Sequence, residues 1–346
     1  MRTGDPARRM GNREAHGMNF GTGLLEQRTL ALALLAVAIL SGLTVPSVTL
    51  ALQPYAMDAL LWVVVLSLVP FARMPIIHLI AAEKSVWRLV LWQQVFLPCL
   101  VVAIGLLADF PETIVELMIV SACAGSLFAS PMLAELLGLD RRHAVQCMVV
   151  STIVMPASLW VCLSAFHGMN VPLNLADYAA RVALFLGLPF AAFIVYGQVV
   201  TRIPSRASAV IETAARWGSV LALTVFGLGM MHSVGGLLAD NPTKAIFLLS
   251  LAVCLNVGMF LLTVIVMYRY GLEIALTTGI LSGFRNVGLG YALVGDALGS
   301  DLAAYIGLSM LPMFIAPMII RIVILQQAAS WVVPLAPASR RASTPA

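Results

Sequence analysis

Residues 121–131 read Ser-Ala-Cys-Ala-Gly-Ser-Leu-Phe-Ala-Ser-Pro, and residues 278–288 read Thr-Gly-Ile-Leu-Ser-Gly-Phe-Arg-Asn-Val-Gly. Both segments place small and helix-breaking residues in the middle of a long apolar run. A helix broken inside a bilayer leaves backbone N–H and C=O groups that lipid cannot satisfy, so breaks persist only where protein or a wet cavity encloses them. Matching breaks in two halves of a chain are typical of a transport site. The rival interpretation is that these residues serve only close helix packing.

The composition of the whole chain is that of an integral membrane protein. Of its 346 residues, 61% are hydrophobic and 10% are charged, and the mean hydropathy is +0.97. Soluble domains carry about 25% charged residues, so this balance excludes a water-solvated surface.

The apolar runs are separated by charged or Pro/Gly breaks and predict about ten transmembrane helices in one transporter domain at 29–326. The polar arm at 1–28 and the tail at 327–346 are predicted to be cytoplasmic. The predicted spans are 29–47, 57–75, 87–107, 113–137, 143–165, 178–198, 212–234, 244–268, 273–297 and 303–326.

The distribution of basic residues supports this count. With the amino terminus in the cytoplasm, alternation of the spans puts all 20 Lys and Arg residues except Arg181, Lys244 and Arg285 on the cytoplasmic side. This is the bias that orients helices in membranes, and one missed or extra span would scramble it. We therefore predict a multi-pass protein of the cell (inner) membrane with both termini in the cytoplasm.

Division of the chain near residue 170 leaves five predicted spans in each half, at 29–165 and 178–326. Because five is odd, the second half runs opposite to the first, which is the inverted-repeat arrangement of many secondary transporters. The broken runs are then helices four and nine. The predicted fold class is an all-α polytopic membrane protein with two inverted five-helix repeats.

Arg285 lies near the middle of the second broken run, where a cation costs roughly 2.5–3.5 kcal/mol on insertion scales. No carboxylate lies at matching depth, because Glu116, Glu135 and Glu273 fall near the ends of their spans. We therefore expect Arg285 to face a cavity, where its five donors serve unwound carbonyls, a glutamine or an anionic substrate. A structural salt bridge is the rival explanation.

Other polar residues lie at a similar depth, and those beside a break or adjacent in sequence are the strongest candidates for a transport site. A lone Ser or Thr in a spanning helix usually bonds to its own preceding turn, so Ser151 and Thr152 are interpreted as packing residues. The candidate transport residues are Arg285, Asn286, Ser130, Pro131, Gln93, Gln94, Ser126, Ser282 and Gly283.

Soluble-enzyme chemistry has little support. The sequence contains no Walker loop, HExxH motif or credible nucleophile elbow, and its 5 cysteines show no metal-ligand spacing. We therefore expect no enzymatic activity, no cofactor and no bound metal. The expected partners are a small anionic substrate and membrane lipids, and no nucleic acid.

Four stretches of the chain resemble the bile acid:sodium symporter superfamily. They are SACAGSLFASPMLAELLGLD at 121–140, VVSTIVMPAS at 149–158, WQQVFLP at 92–98 and SGFRNVGLGYALVGD at 282–296. The resemblance implies ten helices in two inverted repeats, divided into a panel domain and a core domain. The core would hold spans three to five and eight to ten, with the two broken helices crossing inside it.

The chain also departs from the pattern of the sodium-coupled members. These place an Asn after a Ser at the first break, where this chain has Pro131 after Ser130, and a Gln where it has Arg285. Gln93, Ser130 and Asn286 look retained. The sodium-site positions that lack ligand oxygens in this chain are Leu281, Ala144 and Met148. The resemblance therefore implies altered or absent sodium coupling, with Arg285 as a built-in surrogate for the coupling cation.

Three functions stay open from the sequence. The first is a secondary carrier for a small organic anion, and the resemblance extends the choice of substrate to keto acids, vitamin precursors and other carboxylates. The second is a metalloid efflux permease of the arsenite type, with Cys123 beside the first break as its thiol. The third is a membrane sensor that keeps a carrier fold without transport. The sequence leaves substrate, direction of movement and oligomeric state open.

Overall fold

The computed structural model describes residues 37–38, 40–73, 84–128, 130–136, 139–167 and 173–331. The predicted cytoplasmic arm at 1–28, most of the first predicted span at 29–47 and the tail from residue 332 onward lie outside the described residues. Within the described ranges the regular structure is helical, and strand pairing is limited to one isolated bridge between Ser126 and Arg285.

Six continuous helical stretches are long and apolar enough to cross a membrane, which makes this an all-α, membrane-embedded protein. Many of their apolar side chains point outward, and Ile265 and Val195 are 72% and 61% exposed. Such a surface requires lipid rather than water around it. The six stretches are Pro46–Phe71, Lys84–Leu107, Arg142–His167, Leu175–Val200, Ser205–Asp240 and Pro242–Tyr270.

Short 3-10 or π-helical turns divide several of these stretches. The α-helices are α1 (Pro46–Leu52), α2 (Ala56–Leu68), α3 (Lys84–Leu91), α4 (Leu97–Leu107), α5 (Glu112–Cys123), α6 (Ser130–Leu136), α7 (Arg141–His167), α8 (Leu175–Val182), α9 (Leu188–Val200), α10 (Ser205–Asp240), α11 (Pro242–Met267), α12 (Leu272–Gly283), α13 (Val287–Val294) and α14 (Ser300–Trp331). Helix α14 continues five residues into the predicted tail.

Two of the predicted spans are not continuous helices. The run at 113–137 is divided into α5 and α6, and the run at 273–297 is divided into α12 and α13. Each division falls inside one of the two segments quoted at the outset. The count of ten spans and the inverted repeat remain predictions, since the first span lies mostly outside the described residues.

Close helix packing holds the second broken helix in place. Helix α12 lies along α11, and Gly279 and Gly283 are two points of close approach. A Cβ atom at Gly283 would lie 2.7 Å from Cβ of Phe260 and 2.9 Å from the carbonyl oxygen of Asn256. Only glycine permits this approach without displacement of α11.

Candidate functional site at the crossing of two broken helices

The two helix breaks meet and satisfy each other's backbone groups. Helix α5 ends at Cys123, and the chain runs in an extended form from Ala124. The Leu127 N–H donates to the carbonyl of Phe284 (2.9 Å), and the Asn286 N–H donates to the carbonyl of Gly125 (2.8 Å). The result is the isolated antiparallel bridge between Ser126 and Arg285. This pairing provides hydrogen-bonding partners for backbone groups outside a helix, which lipid cannot provide.

Arg285 fills the centre of this crossing and is fully buried. Its Nε donates to the carbonyl of Ser282 (2.9 Å), Nη1 to that of Ala124 (2.7 Å) and Nη2 to that of Gln93 (3.1 Å). The first two carbonyls lie at the carboxyl-terminal ends of α12 and α5, where a helix presents unpaired oxygens and partial negative charge. The guanidinium thus occupies a position that favours a cation.

The third carbonyl comes from a π-helical turn. Residues Trp92–Phe96 form one π turn between α3 and α4, and this turn contains both Gln93 and Gln94. A π turn carries an extra residue, which disturbs the regular ladder of helical hydrogen bonds. The carbonyl of Gln93 is directed to Arg285 at this point. The sequence predicted a role for the two glutamines but contained no signal for the π turn.

The side chains of both glutamines also bind the crossing. Gln93 Nε2 donates to Ser282 Oγ (2.9 Å), while Gln94 Nε2 lies 3.4 Å from the carbonyl of Ala124. The Gln94 backbone carbonyl accepts from Ser158 Oγ at 2.5 Å. Gln94 Oε1 is buried and has no hydrogen-bond partner in the part of the chain that the structure describes. The amides therefore connect the π turn to both broken helices.

Ser126 joins the two breaks to α7. Its Oγ donates to the carbonyl of Leu281 (2.9 Å), and its backbone N–H donates to Ser151 Oγ (3.2 Å). Ser151 in turn contacts Ser126 Oγ at 3.3 Å and the carbonyl of Met148 at 3.1 Å. The interpretation of Ser151 as a residue that bonds only to its own helix was incomplete, because periodicity cannot show that α7 passes beside the first break.

Ser130 and Pro131 open the second half of the first broken helix. Both are buried, and the hydroxyl of Ser130 has no hydrogen-bond partner among the described residues. A buried polar atom without a partner is costly and calls for an explanation. The hydroxyl of Ser130 is therefore a candidate donor to a ligand.

Asn286 and Gly283 have structural roles in this conformation. The Asn286 side chain caps α13 by accepting from the Leu289 N–H at 3.2 Å. Gly283 provides the close approach to α11 described above. Neither residue needs a substrate to explain its position.

The sodium-site positions inferred from the resemblance hold only carbon and sulfur side chains here. Leu281, Ala144 and Met148 are completely buried. The backbone carbonyl of Leu281 accepts a hydrogen bond from the Ser126 hydroxyl. The backbone carbonyl of Met148 accepts from the hydroxyls of Ser151 and Thr152. These carbonyl oxygens, which are the type of ligand that hard cations prefer, therefore accept from hydroxyl donors.

Of the alternatives predicted for the donors of Arg285, the structure shows contacts with backbone carbonyls. The side chain is fully enclosed rather than open to a solvent-accessible cavity in this conformation. The rival explanation by a salt bridge also finds no support. In the ranges that the structure describes, the ion pairs involve Arg73, His167 and Lys244, and none includes Arg285. The crossing therefore carries a positive charge that is balanced only by carbonyl dipoles.

No protein-family model matches the chain, and no curated protein sequence matches it. The likeness to the bile acid:sodium symporter superfamily therefore rests on the four quoted motifs. The geometry of the crossing stands independently of that likeness.

Proposed function

We propose that this protein is a secondary carrier for a small organic anion, in which Arg285 takes the place of a coupling cation. The observation that carries the proposal is the set of three carbonyl contacts made by a buried guanidinium at the crossing of two broken helices. Broken helices whose ends converge are the usual binding device of secondary transporters. The motifs that resemble bile acid:sodium symporters point to the same class, with two inverted repeats and cytoplasmic termini in the inner membrane.

The charge balance of the site favours an anionic substrate. A fixed positive charge in a low-dielectric interior attracts an anion more strongly than the same charge in water. Beyond its three carbonyl contacts, the guanidinium has one further N–H on each Nη atom. The hydroxyl of Ser130, which has no partner among the described residues, lies at the start of α6, and α6 packs against α12. A carboxylate bound beside Arg285 would accept from these donors.

The permanent charge of Arg285 also explains how a site without sodium ligands stays organised. In a cation-coupled carrier, the ion must arrive before the carbonyl ends of the broken helices are neutralised. Arginine stays protonated in proteins, so here the neutralising charge belongs to the chain. The proposal therefore includes transport that does not depend on sodium.

The test is uptake into reconstituted vesicles in sodium and potassium media. A thermal-shift screen of 2-oxo acids, longer carboxylates and bile acids, each with and without Na⁺, selects the solute. We expect equal initial rates when Na⁺ is replaced by K⁺. A steep sodium dependence would refute the surrogate role of Arg285, and absence of flux with a solute that binds would favour the non-transporting sensor.

A second candidate, a metalloid efflux permease, has one observation in its favour. The thiol of Cys123, at the end of α5, contacts that of Cys162 on α7, with Ser158 beside both. Paired thiols are suitable ligands for soft metals and metalloids. Arsenite flux that is lost in Cys123→Ser and in Cys162→Ser would favour this function, whereas carboxylate flux unchanged in both variants favours the organic-anion carrier.

A further inference from the structure

A cluster of two glutamates and one histidine lies away from the crossing, where α5 begins and α7 ends. Glu112 is the first residue of α5, Glu116 follows one turn later, and His167 is the last residue of α7. The side chain of Glu112 is 69% exposed, while those of Glu116 and His167 are about nine-tenths buried. The cluster is thus open to solvent on one side and enclosed on the other.

Each ring nitrogen of His167 faces a different carboxylate. Nδ1 lies 3.2 Å from Oε1 of Glu112, and Nε2 lies 3.0 Å from Oε1 of Glu116. One potential ligand atom from each of the three residues falls within 4.8 Å of the other two. Ligands about 2.0–2.1 Å from a tetrahedral zinc ion lie roughly 3.3 Å from one another, and a histidine binds such an ion through one ring nitrogen. The 3.0 Å between Nε2 and Glu116 is close to that separation, while Glu112, which faces Nδ1, would have to turn its exposed side chain toward the same ion.

The contact between His167 and Glu116 is not an ordinary hydrogen bond. Among the described residues, the buried Nε2 makes no hydrogen bond of good geometry, although the carboxylate oxygen of Glu116 is only 3.0 Å away. The oxygen therefore lies off the direction of a ring N–H. Two lone-pair donors that approach each other without a shared proton are the arrangement expected when both turn toward one cation.

The electrostatics of α5 favour a bound cation as well. Glu112 and Glu116 are four residues apart on one helix face, and like charges at this spacing repel. Burial of the Glu116 carboxylate adds a cost unless a partner neutralises it. A divalent ion would offset both the repulsion between the two carboxylates and the cost of burying Glu116. An imidazole ligand favours a transition metal over Mg²⁺ or Ca²⁺.

We infer that Glu112, Glu116 and His167 form a binding site for Zn²⁺ or a similar first-row divalent ion. The exposed side, at Glu112, would admit the ion and leave a coordination position for water. A bound ion would fasten the start of α5 to the end of α7. The Ala124 carbonyl at the end of α5 and the Ser151 hydroxyl on α7 both bind at the crossing. A bound ion would therefore restrict the movement of these two groups, although it lies away from them. The inference does not depend on the proposed transport function.

The test uses the full chain, purified in detergent and treated with a chelator. We expect one Zn²⁺ per chain, measured by competition with a fluorescent chelator, and a rise in Tm that the same concentration of Mg²⁺ does not produce. Glu112→Gln, Glu116→Gln and His167→Gln should each weaken Zn²⁺ binding at least about tenfold, because removal even of an outer-shell partner has an effect of that size.

Glu273→Gln is the matched control, because Glu273 occupies the first turn of the other broken helix. This variant should bind Zn²⁺ with the affinity of the wild type. Absence of saturable Zn²⁺ binding, or binding that His167→Gln and Glu112→Gln leave unchanged, would overturn the inference. Glu112 is exposed, so its substitution tests the site even if Glu116→Gln fails to fold.

Discussion

The two breaks that cross at Arg285 contribute different groups to the same site. The first, which begins at Ala124 and ends before Ser130, provides carbonyl oxygens and hydroxyls. The second is only three residues long, Phe284–Asn286, and contains the cation and a helix cap. The difference shows that the cation comes from one segment only, while carbonyl acceptors come from both segments, which are about 160 residues apart, so neither break is satisfied without the other.

Removal of the cation should have the largest effect on this arrangement. Arg285→Ala should insert into the membrane but lose transport, and the volume-matched Arg285→Met should do the same. Each variant removes the guanidinium donor from three carbonyls, of which that of Ala124 keeps only the 3.4 Å contact from Gln94, and this should lower the free energy of unfolding by about 3 kcal/mol. Uptake in vesicles and unfolding in mixed micelles measure the two effects. Arg269→Met, at an exposed arginine, is the control, and normal transport in Arg285→Ala would reduce the residue to a packing role.

Substitution of a glycine by alanine should have the second-largest effect, and this effect should differ between the two breaks. A Cβ atom at Gly283 would meet Phe260 Cβ at 2.7 Å, whereas one at Gly125 would meet Thr152 Cα at 3.1 Å. Gly283→Ala should therefore destabilise the protein by about 1–3 kcal/mol, and Gly125→Ala by less. Gly258→Ala on α11, with no atom within 4 Å of its Cβ, should be neutral or stabilising. Equal destabilisation by all three variants would contradict the packing described here.

The cap of the second break should have a smaller effect. Asn286→Ala should cost about 1 kcal/mol, because the Leu289 N–H loses its acceptor, while Asn286→Asp should retain most of the stability. Thermal unfolding of the three proteins tests this order. If Asn286→Ala keeps its stability and loses only substrate binding, the residue is a ligand rather than a cap.

Ser130 should have the smallest effect on stability and a distinct effect on function. Its hydroxyl has no partner, so Ser130→Ala should leave the Tm unchanged or raise it, while the KM for the substrate rises. Ser126→Ala is the contrasting variant, because it removes the donor to the Leu281 carbonyl and should lower the Tm. A loss of stability in Ser130→Ala would show that the hydroxyl has a partner within the protein.

Local sequence patterns predicted the features that depend on a single helix. The small and helix-breaking residues in 121–131 and 278–288 mark segments in which the structure ends α5 and α12, and Arg285 was singled out by its depth in an apolar run. A broken apolar run is a local property, visible wherever Gly, Ser and Pro interrupt hydrophobic residues. The six continuous apolar helices follow from the same kind of signal.

Contacts between distant segments could not be predicted in this way. Arg285 and the Ala124 carbonyl are 161 residues apart, and nothing in either segment specifies the pairing. The π turn at Gln93 depends on one extra residue between two ordinary helical turns. The cluster of Glu112, Glu116 and His167 was missed for a related reason. The Glu-x-x-x-Glu spacing was visible, but the histidine that completes the cluster comes from the far end of another helix.

The antiparallel bridge at Ser126 and Arg285 has a mechanical consequence. Two backbone hydrogen bonds and the contact between Arg285 Nη1 and the Ala124 carbonyl join the broken helices where they cross, so a tilt of one helix should move the other. The two breaks should therefore move together at the crossing and should not bend relative to each other there. If the protein is the carrier proposed above, movement between inward-open and outward-open states would have to occur at helix contacts away from this crossing.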